Sequence, residues 1–593
     1  MPGFTEQLAI RTESLSKDDI KNFFVKESED FIPYLLDGEQ YLLEGSRGAG
    51  KTMLMRFAES TADDTFNSNR ILTSYISFED SLRIERLKIT NASEYNPFLQ
   101  WTMAKILKAL IDKISLLGID KEESEKAFLV SNLSKIFGTQ LEIVRYKAIL
   151  EEYINVIETV QYKKSDDIKK LAFDKLDIST ADDLFKAFNN PAVFKRFLEK
   201  FCEENKLARL IFLFDEAAHT LSEQQQEDFF SFMKGLRSPK ISCKAAVYPG
   251  ISSYGKDFDY GHDARVLRLD RKLEDGDSYF AFFKQILEKR IGNEKIWQDL
   301  STDQNTLDAL IIACFGHPRH LFLLIDEISD EVLNKRNLPV IVKNYVEQTL
   351  WKYYLGLEKR LERFKISVDT GYNFITSLVI PDLRIQNNEW RKREKPELSI
   401  YFAIENTIFD DLKDMIGVLI YSGILSDRGQ QSIGQNKYGK VYAVNSAVCM
   451  AENVLREDSK TGSTYKGDIS RIDRQRVKIY YKGTDKITDI ISSLAKSVVL
   501  SCPNCNEERK NDWKICPYCE QRYPEEESLY EKLREHPVDF LPISERLRNR
   551  VREKFKTIGE ILDASEDKID EIYYVGVVRV RIIKTAAIEY MAG

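Results

Sequence analysis

Residues 45–52, Gly45-Ser46-Arg47-Gly48-Ala49-Gly50-Lys51-Thr52, fit the pattern G-x-x-x-x-G-K-[ST] in full. Such a loop suits a polyphosphate. Its glycines let backbone N–H groups turn inward, and the N-terminus of the helix that follows adds a positive dipole. Lys51 is placed to reach the β- and γ-phosphates and Thr52 to ligate Mg²⁺. Such a site needs a second half, a buried strand ending in an acid. Leu210-Ile211-Phe212-Leu213-Phe214-Asp215-Glu216 supplies it. Asp215 would hold Mg²⁺, and Glu216 would orient and deprotonate the attacking water. A second chemistry lies far downstream. Cys502-Pro503-Asn504-Cys505 and Cys516-Pro517-Tyr518-Cys519 are two Cys-x-x-Cys knuckles. They can bring four thiolates around one tetrahedral Zn²⁺. The surrounding unit has few large apolar residues, so metal binding would supply its folding energy. A closed shell of four cysteines leaves no open position for catalysis. Cys202, Cys243, Cys314 and Cys449 stand in apolar contexts and read as buried inert thiols.

These residues need a scaffold. Tyr41–Glu44 is a short apolar strand leading into the glycine loop, and MLMRFAEST after it starts a helix. Arg70–Phe78, Leu210–Phe214, Lys244–Tyr248 and Val266–Leu269 are further strand candidates, the second a near-continuous apolar run that fits a strand buried on both faces. A helix at about 222–236 follows it. Strands alternating with helices predict a parallel α/β core. Leu99, Met103, Ile106, Leu107, Leu110, Ile114 and Leu117 share one helix face within a helical block at about 95–205. That block accounts for the 163 residues between Lys51 and Asp215 and reads as an insertion. The division predicted is an ATPase core at 1–272, a helical lid at 273–360, a third domain at 365–455, a polar linker at 456–497, a zinc ribbon at 498–524 and a terminal domain at 540–593.

Together, Glu44–Leu54 and FLFDEAA at 212–218 look like the phosphate loop and Walker B segment of AAA-type ATPases related to the Orc/Cdc6 proteins. Phe315-Gly316-His317-Pro318-Arg319 resembles their sensor 2 motif. The resemblance covers roughly residues 15–450. It implies that Arg319 touches the γ-phosphate and that Gly45 to Thr52 and Asp215 hold ATP and Mg²⁺. Lys51, Glu216 and Arg319 then form the catalytic set. Sensor 1 departs from the pattern, because KAAVYPG ends its strand at Tyr248. Arg237, Arg265 and Arg268 stand equal as arginine-finger candidates. His317 and His320 read as packing or surface residues. In this family a winged-helix domain follows the lid and binds DNA. Here Phe409–Tyr421 reads as its helix, and ILSDR and YGKVYAVN as two strands around a polar wing, Gly429–Lys437. Arg428, Lys437 and Lys440 are candidate phosphate contacts; a fold-stabilising hairpin or a protein contact is the alternative.

The C-terminal stretch resembles a helix-hairpin-helix unit around Ile569–Ile572, Tyr574-Val575-Gly576 and Arg579, similar to the domain that ends the RNA polymerase α subunit. Turns are expected at Thr557-Ile558-Gly559 and Val575-Gly576. Arg546, Arg548, Arg550, Arg552, Lys554 and Lys556, then Arg579, Arg581 and Lys584, make it basic. The 593-residue chain as a whole carries a net charge of −8. A surface coated with nucleic acid is therefore excluded, and DNA contact must come from such a patch. Gly (27) and Pro (15) are sparse, which rules out collagen-like and low-complexity architectures. No apolar run is long enough for a membrane span, and the first residues lack a secretory pattern, so a cytoplasmic protein is expected. The function expected is ATP binding and hydrolysis that drives a conformational change on DNA or a protein–DNA complex, with an ATP-dependent homo-oligomer or an effector partner allowed. The alternative is a signalling or defence-type NTPase switch whose tail recognises a protein. No nuclease, protease or deaminase constellation appears.

Overall fold

The computed structural model leaves residues 1–11, 13–14, 27–29, 80, 85–95, 119–130, 132, 135–139, 160–187, 189, 218–222, 293, 329–337, 361–363, 394–396, 435–436, 458–463, 473–476, 484–486, 496–503, 506–518, 520–528, 574 and 593 outside the described residues. Five strands build the first sheet: β1 (Tyr41–Glu44), β2 (Ile71–Ser77), β3 (Arg209–Asp215), β4 (Ile241–Val247) and β5 (Arg265–Arg268). Their order is β2-β3-β4-β1-β5, and every pairing is parallel. The expected α/β core is present, each strand within three residues of its sequence reading. The physical cause is two-faced burial. Leu210, Ile211, Phe212, Leu213 and Phe214 are all fully buried, alternating between two apolar clusters on opposite faces.

One of those clusters is the helical insertion. Helices Pro97–Leu117, Ile143–Thr159 and Pro191–Glu204 lie between β2 and β3 in sequence. Asn96 and Asn190 cap the first and last of them, each followed by Pro at the first helical position. Trp101 packs edge-on against Phe78 and donates from Nε1 to Glu158 at 2.9 Å. Lys113, 7 % exposed, ties the insertion to the phosphate-loop helix (Lys51–Asn69) through Glu59 at 2.7 Å and Asp63 at 3.1 Å.

After the core come helices Asp277–Ile291, Gln304–Ala313 and Pro318–Ile328, in the stretch expected to form the lid. A second sheet then assembles from β6 (Tyr401–Glu405), β7 (Leu425–Gly434), β8 (Lys437–Val444) and β9 (Ile479–Tyr481), in the order β7-β8-β6-β9. Two expectations are corrected here. The described part of the polar stretch Gly429–Lys437 is not a free wing: β7 runs through Gly434, β8 starts at Lys437, and the two strands pair. Residues 456–497 are not merely a linker. They hold helices Tyr465–Ser470 and Thr488–Ala495, and β9 pairs parallel with β6. Tyr481 explains why polarity misled: it is buried against Phe374 and Phe402, and such non-local burial leaves no local period.

The Phe409–Tyr421 helix docks through two glycines on the loop that follows β4. A Cβ on Gly250 (φ +83°) would meet the Gly417 Cα at 2.4 Å, and Tyr248 meets Tyr421 edge-on. The terminal domain has its own core around Val551, Ile558, Ile569, Val580 and Ile583. Its helices are Glu545–Lys554, Ile558–Asp563, Glu566–Asp570 and Val577–Ala592. Thr557-Ile558-Gly559 is a helix start rather than an open turn, because Thr557 and Glu560 form a capping box. Among the described residues, no helix is long and apolar enough to cross a membrane. The thiols of Cys202, Cys243 and Cys314 are buried and desolvation pushes them up to about 12, as befits inert packing groups.

Candidate nucleotide site

The loop between β1 and the Lys51–Asn69 helix turns on two glycines in the left-handed region, Gly48 (φ +82°) and Gly50 (φ +97°). A Cβ on Gly48 would meet the Arg319 Cβ at 2.9 Å, so the glycine also lets the lid helix approach. At the end of β3, Asp215 is 1 % exposed. Its Oδ2 accepts from the Thr52 hydroxyl at 2.6 Å and the Tyr75 hydroxyl at 2.9 Å. Its Oδ1 accepts from the Glu216 N–H at 3.0 Å. Glu216 itself has φ +59°, unusual for a residue with a side chain and of the kind found at functional sites. Hydroxyl and carboxylate oxygens brought together in this way form a hard donor set that fits Mg²⁺.

Lys51 is 5 % exposed. Its Nζ donates to the carbonyls of Gly45 at 2.6 Å and Ser46 at 3.0 Å, and it lies 3.9 Å from the Tyr248 ring centre. Desolvation lowers its pKa to about 7, although Asp215 and Glu216 pull the other way. The same burial raises the Tyr248 phenol. β4 ends at Val247, so Tyr248 is the first residue beyond the strand, where it supplies an aromatic face to the lysine. Ser46 Oγ and His317 Nε2 share a 2.5 Å hydrogen bond. Burial lowers His317 to about 4, so it is neutral at ordinary pH. His317 and His320 are both buried, with ring centres 4.6 Å apart.

A cavity of about 140 Å³ opens over this loop. Arg47 to Leu54, Glu216, Arg271, Arg319 and Glu589 line one part; Phe23, Phe24, Val25, Phe282, Ile286 and Phe322 form a mainly apolar part that also holds Arg290. The ORC-CDC6-like family model matches residues 9–350, which contain this whole arrangement except Glu589. The chain belongs to the ORC-CDC6-like family. Two solved structures from Aeropyrum pernix are also similar. The Orc1 protein in complex with DNA is 12% identical, with 77% of this chain and 95% of that chain covered at a TM-score of 0.28. The Orc2 protein, as ADPNP–ADP complexes, is 10% identical, with 72% and 90% covered at a TM-score of 0.29. No curated protein matches the chain.

The structure brings Gly45 to Thr52, Asp215, Glu216 and Arg319 to one place, although they are 274 positions apart at the extremes. Three residues were missed in the sequence. Arg271 donates to the Ala49 carbonyl at 2.6 Å and lies 4.4 Å from the Phe282 ring centre. Arg290 sits between the rings of Phe23 (4.3 Å) and Phe322 (5.4 Å), and burial lowers it to about 10. Glu589, from the last helix, pairs with Arg319. No local motif marks any of the three. Of the finger candidates, Arg237 pairs with Glu39 and Arg268 with Glu44, outside the cavity lining.

Several expected nucleic-acid contacts are engaged elsewhere. Arg428 is held by Asp270 at 3.1 Å and Glu274 at 3.3 Å, because β7 packs on the core there. Lys440 lies over the Phe409 ring and is lowered by desolvation. The side chain of Lys437 lies outside the described residues. In the tail, Arg548 is 2 % exposed and donates to the carbonyls of Leu541, Ile543 and Gln348, a structural role in place of the expected basic surface. Arg552 pairs with Asp539 and Lys554 with Glu571 at 2.5 Å, and Lys584 donates to the Leu562 carbonyl. Cys505 and Cys519 are partly exposed; Cys502 and Cys516 lie outside the described residues. Among the described residues, no group of three or more His, Cys, Asp or Glu is placed to hold a metal.

Proposed function

We propose that the chain binds and hydrolyses ATP in this cavity and uses turnover to change conformation on DNA or a protein–DNA complex. The observation that carries the ATP part is the 2.6 Å contact of Thr52, the residue after Lys51, with Asp215, the residue before Glu216. Thr52 and Asp215 would hold Mg²⁺, which would neutralise the phosphates. Lys51 and Arg319 would meet the terminal phosphates, and Glu216 would accept a proton from the attacking water. The apolar end, Phe23 to Val25 with Ile286 and Phe322, suits an adenine ring. The family and the exposed Arg546, Lys556 and Arg581 of the tail support the DNA part. The knuckle spacing of Cys502, Cys505, Cys516 and Cys519 supports a structural zinc ribbon before it. Winged-helix-like and helix-hairpin-helix-like roles for 365–455 and 540–593 belong to the same reading.

A second reading, a signalling switch with a protein-docking tail, is favoured by the engagement of Arg548, Arg552 and Lys554 within the protein. One set of measurements separates them: the ATPase rate of wild type and Glu216→Gln, with and without duplex DNA. ATP turnover that DNA stimulates and Glu216→Gln abolishes, with nucleotide binding retained, supports the first reading. Turnover indifferent to DNA, together with no salt-dependent DNA binding, refutes its DNA part and favours the switch.

A further inference from the structure

The last turn of the last helix, Val577–Ala592, meets the nucleotide site twice. The Glu589 carboxylate pairs with Arg319, the lid arginine whose Cβ rests on Gly48 of the phosphate loop. The Glu589 carbonyl accepts from Arg47 Nη2 at 3.1 Å, so an arginine of the phosphate loop itself caps the helix C-terminus. Arg47 Nη1 also donates to the Tyr353 hydroxyl at 3.1 Å. Both partners of the ion pair are largely buried, at 8 % exposure for Glu589 and 14 % for Arg319. An isolated charge in such a place is costly, so whichever anion pairs with Arg319 excludes the other.

The rest of the terminal domain is seated on the lid. The Glu545 N–H donates to Glu327 Oε1 at 3.1 Å, and Arg548 Nη1 to the Gln348 carbonyl at 3.1 Å. Phe540 lies against Gly356, its ring carbon 3.3 Å from where a Cβ would stand. Lys352 faces Asp539 at 3.9 Å. The contacts named here are mostly polar, the makeup of an interface that can open. Glu589 and Glu216 are the acids of a cavity lined by five basic side chains, Arg47, Lys51, Arg271, Arg290 and Arg319. A terminal phosphate offers Arg319 more acceptor oxygens than a carboxylate does.

We infer that the C-terminal domain is an intramolecular latch in which Glu589 holds Arg319 in place of the terminal phosphate of ATP, so that ATP, but not ADP, releases the domain. The inference rests on the ATP site proposed above. Charge balance drives the exchange. In the latched form the arginine is neutralised by Glu589. In the ATP form it is neutralised by the γ-phosphate, and the displaced carboxylate must move to water. The tail thereby reports the nucleotide state to whatever its exposed basic residues contact. A latch closed nine times in ten lowers the apparent affinity of its competitor about tenfold.

The test uses the full-length protein, with ATPγS and ADP titrated into wild type, Glu589→Gln and Glu589→Ala by calorimetry. Hydrogen exchange of residues 577–592 is followed in parallel. Both variants should bind ATPγS about tenfold more tightly than wild type, with ADP affinity changed less than about threefold. In wild type, ATPγS and not ADP should raise exchange in 577–592. The wild-type exchange arm needs no substitution, so a variant that folds poorly does not decide the outcome. Nucleotide binding with an unchanged ATPγS-to-ADP ratio in the variants and unchanged exchange in wild type overturns the latch alone. Binding of neither nucleotide to any of the three proteins overturns the ATP site and the latch with it.

Discussion

On the proposed ATP reading, Lys51 should make nucleotide affinity depend on pH, and the size of that dependence follows from its burial. Desolvation lowers its pKa to about 7. Protonated ammonium is the form that binds phosphate, and triphosphate at the loop would restore its ordinary affinity for the proton. Free protein therefore loses the binding form as pH rises through 7, while bound protein keeps it. Between pH 7 and 8.5 the ATPγS affinity should fall about 15-fold, and binding at pH 8 should take up about 0.9 proton. The window lies above the second ionisation of a phosphate, so the ligand contributes little. His317, lowered to about 4, stays neutral throughout. Calorimetry in buffers of different ionisation enthalpy measures the proton uptake directly. Lys51→Arg, whose side chain stays charged, should bind with no such slope, whatever its absolute affinity. A flat wild-type profile with no proton uptake would refute the reasoning, because it would mean that Lys51 is fully charged before the nucleotide arrives.

Gly250→Ala should loosen the docking of the Phe409–Tyr421 helix, since its Cβ would fall 2.4 Å from the Gly417 Cα at a positive φ. A cost of about 1–3 kcal/mol is expected, read as a fall in the denaturation midpoint. Cys516→Ser should release a zinc ion that wild type carries at about one per chain, by elemental analysis, while leaving ATP binding by the distant loop unchanged. Wild type without zinc would end the ribbon reading.

The glycine loop and the buried strand ending in Asp215 were legible in sequence because their patterns are local. Eight consecutive residues make the loop, and five apolar residues before Asp215 announce a strand buried on both faces. The parallel sheet followed from the same alternation of strand and helix. Arg319 was legible only through a resemblance, since a Gly-His-Pro-Arg turn by itself says nothing of a phosphate. What stayed hidden depends on long-range partners. Tyr481 belongs to a strand because β6, more than seventy residues earlier, accepts it. Arg548 lies in a run of basic residues, yet its side chain is buried against three carbonyls, one of them on the lid. Arg428 stands in a polar hairpin but answers to Asp270 and Glu274. Charge in a sequence is a count, and only the tertiary structure decides which charges face solvent. The same holds most sharply for Glu589. By itself the sequence determined the shape of the loop proposed to hold phosphate, because backbone curvature, helix dipole and lysine all come from adjacent residues. That an acid 270 positions after Arg319 stands at that site was decided by packing of the terminal domain on the lid, and no local pattern encodes which surfaces meet.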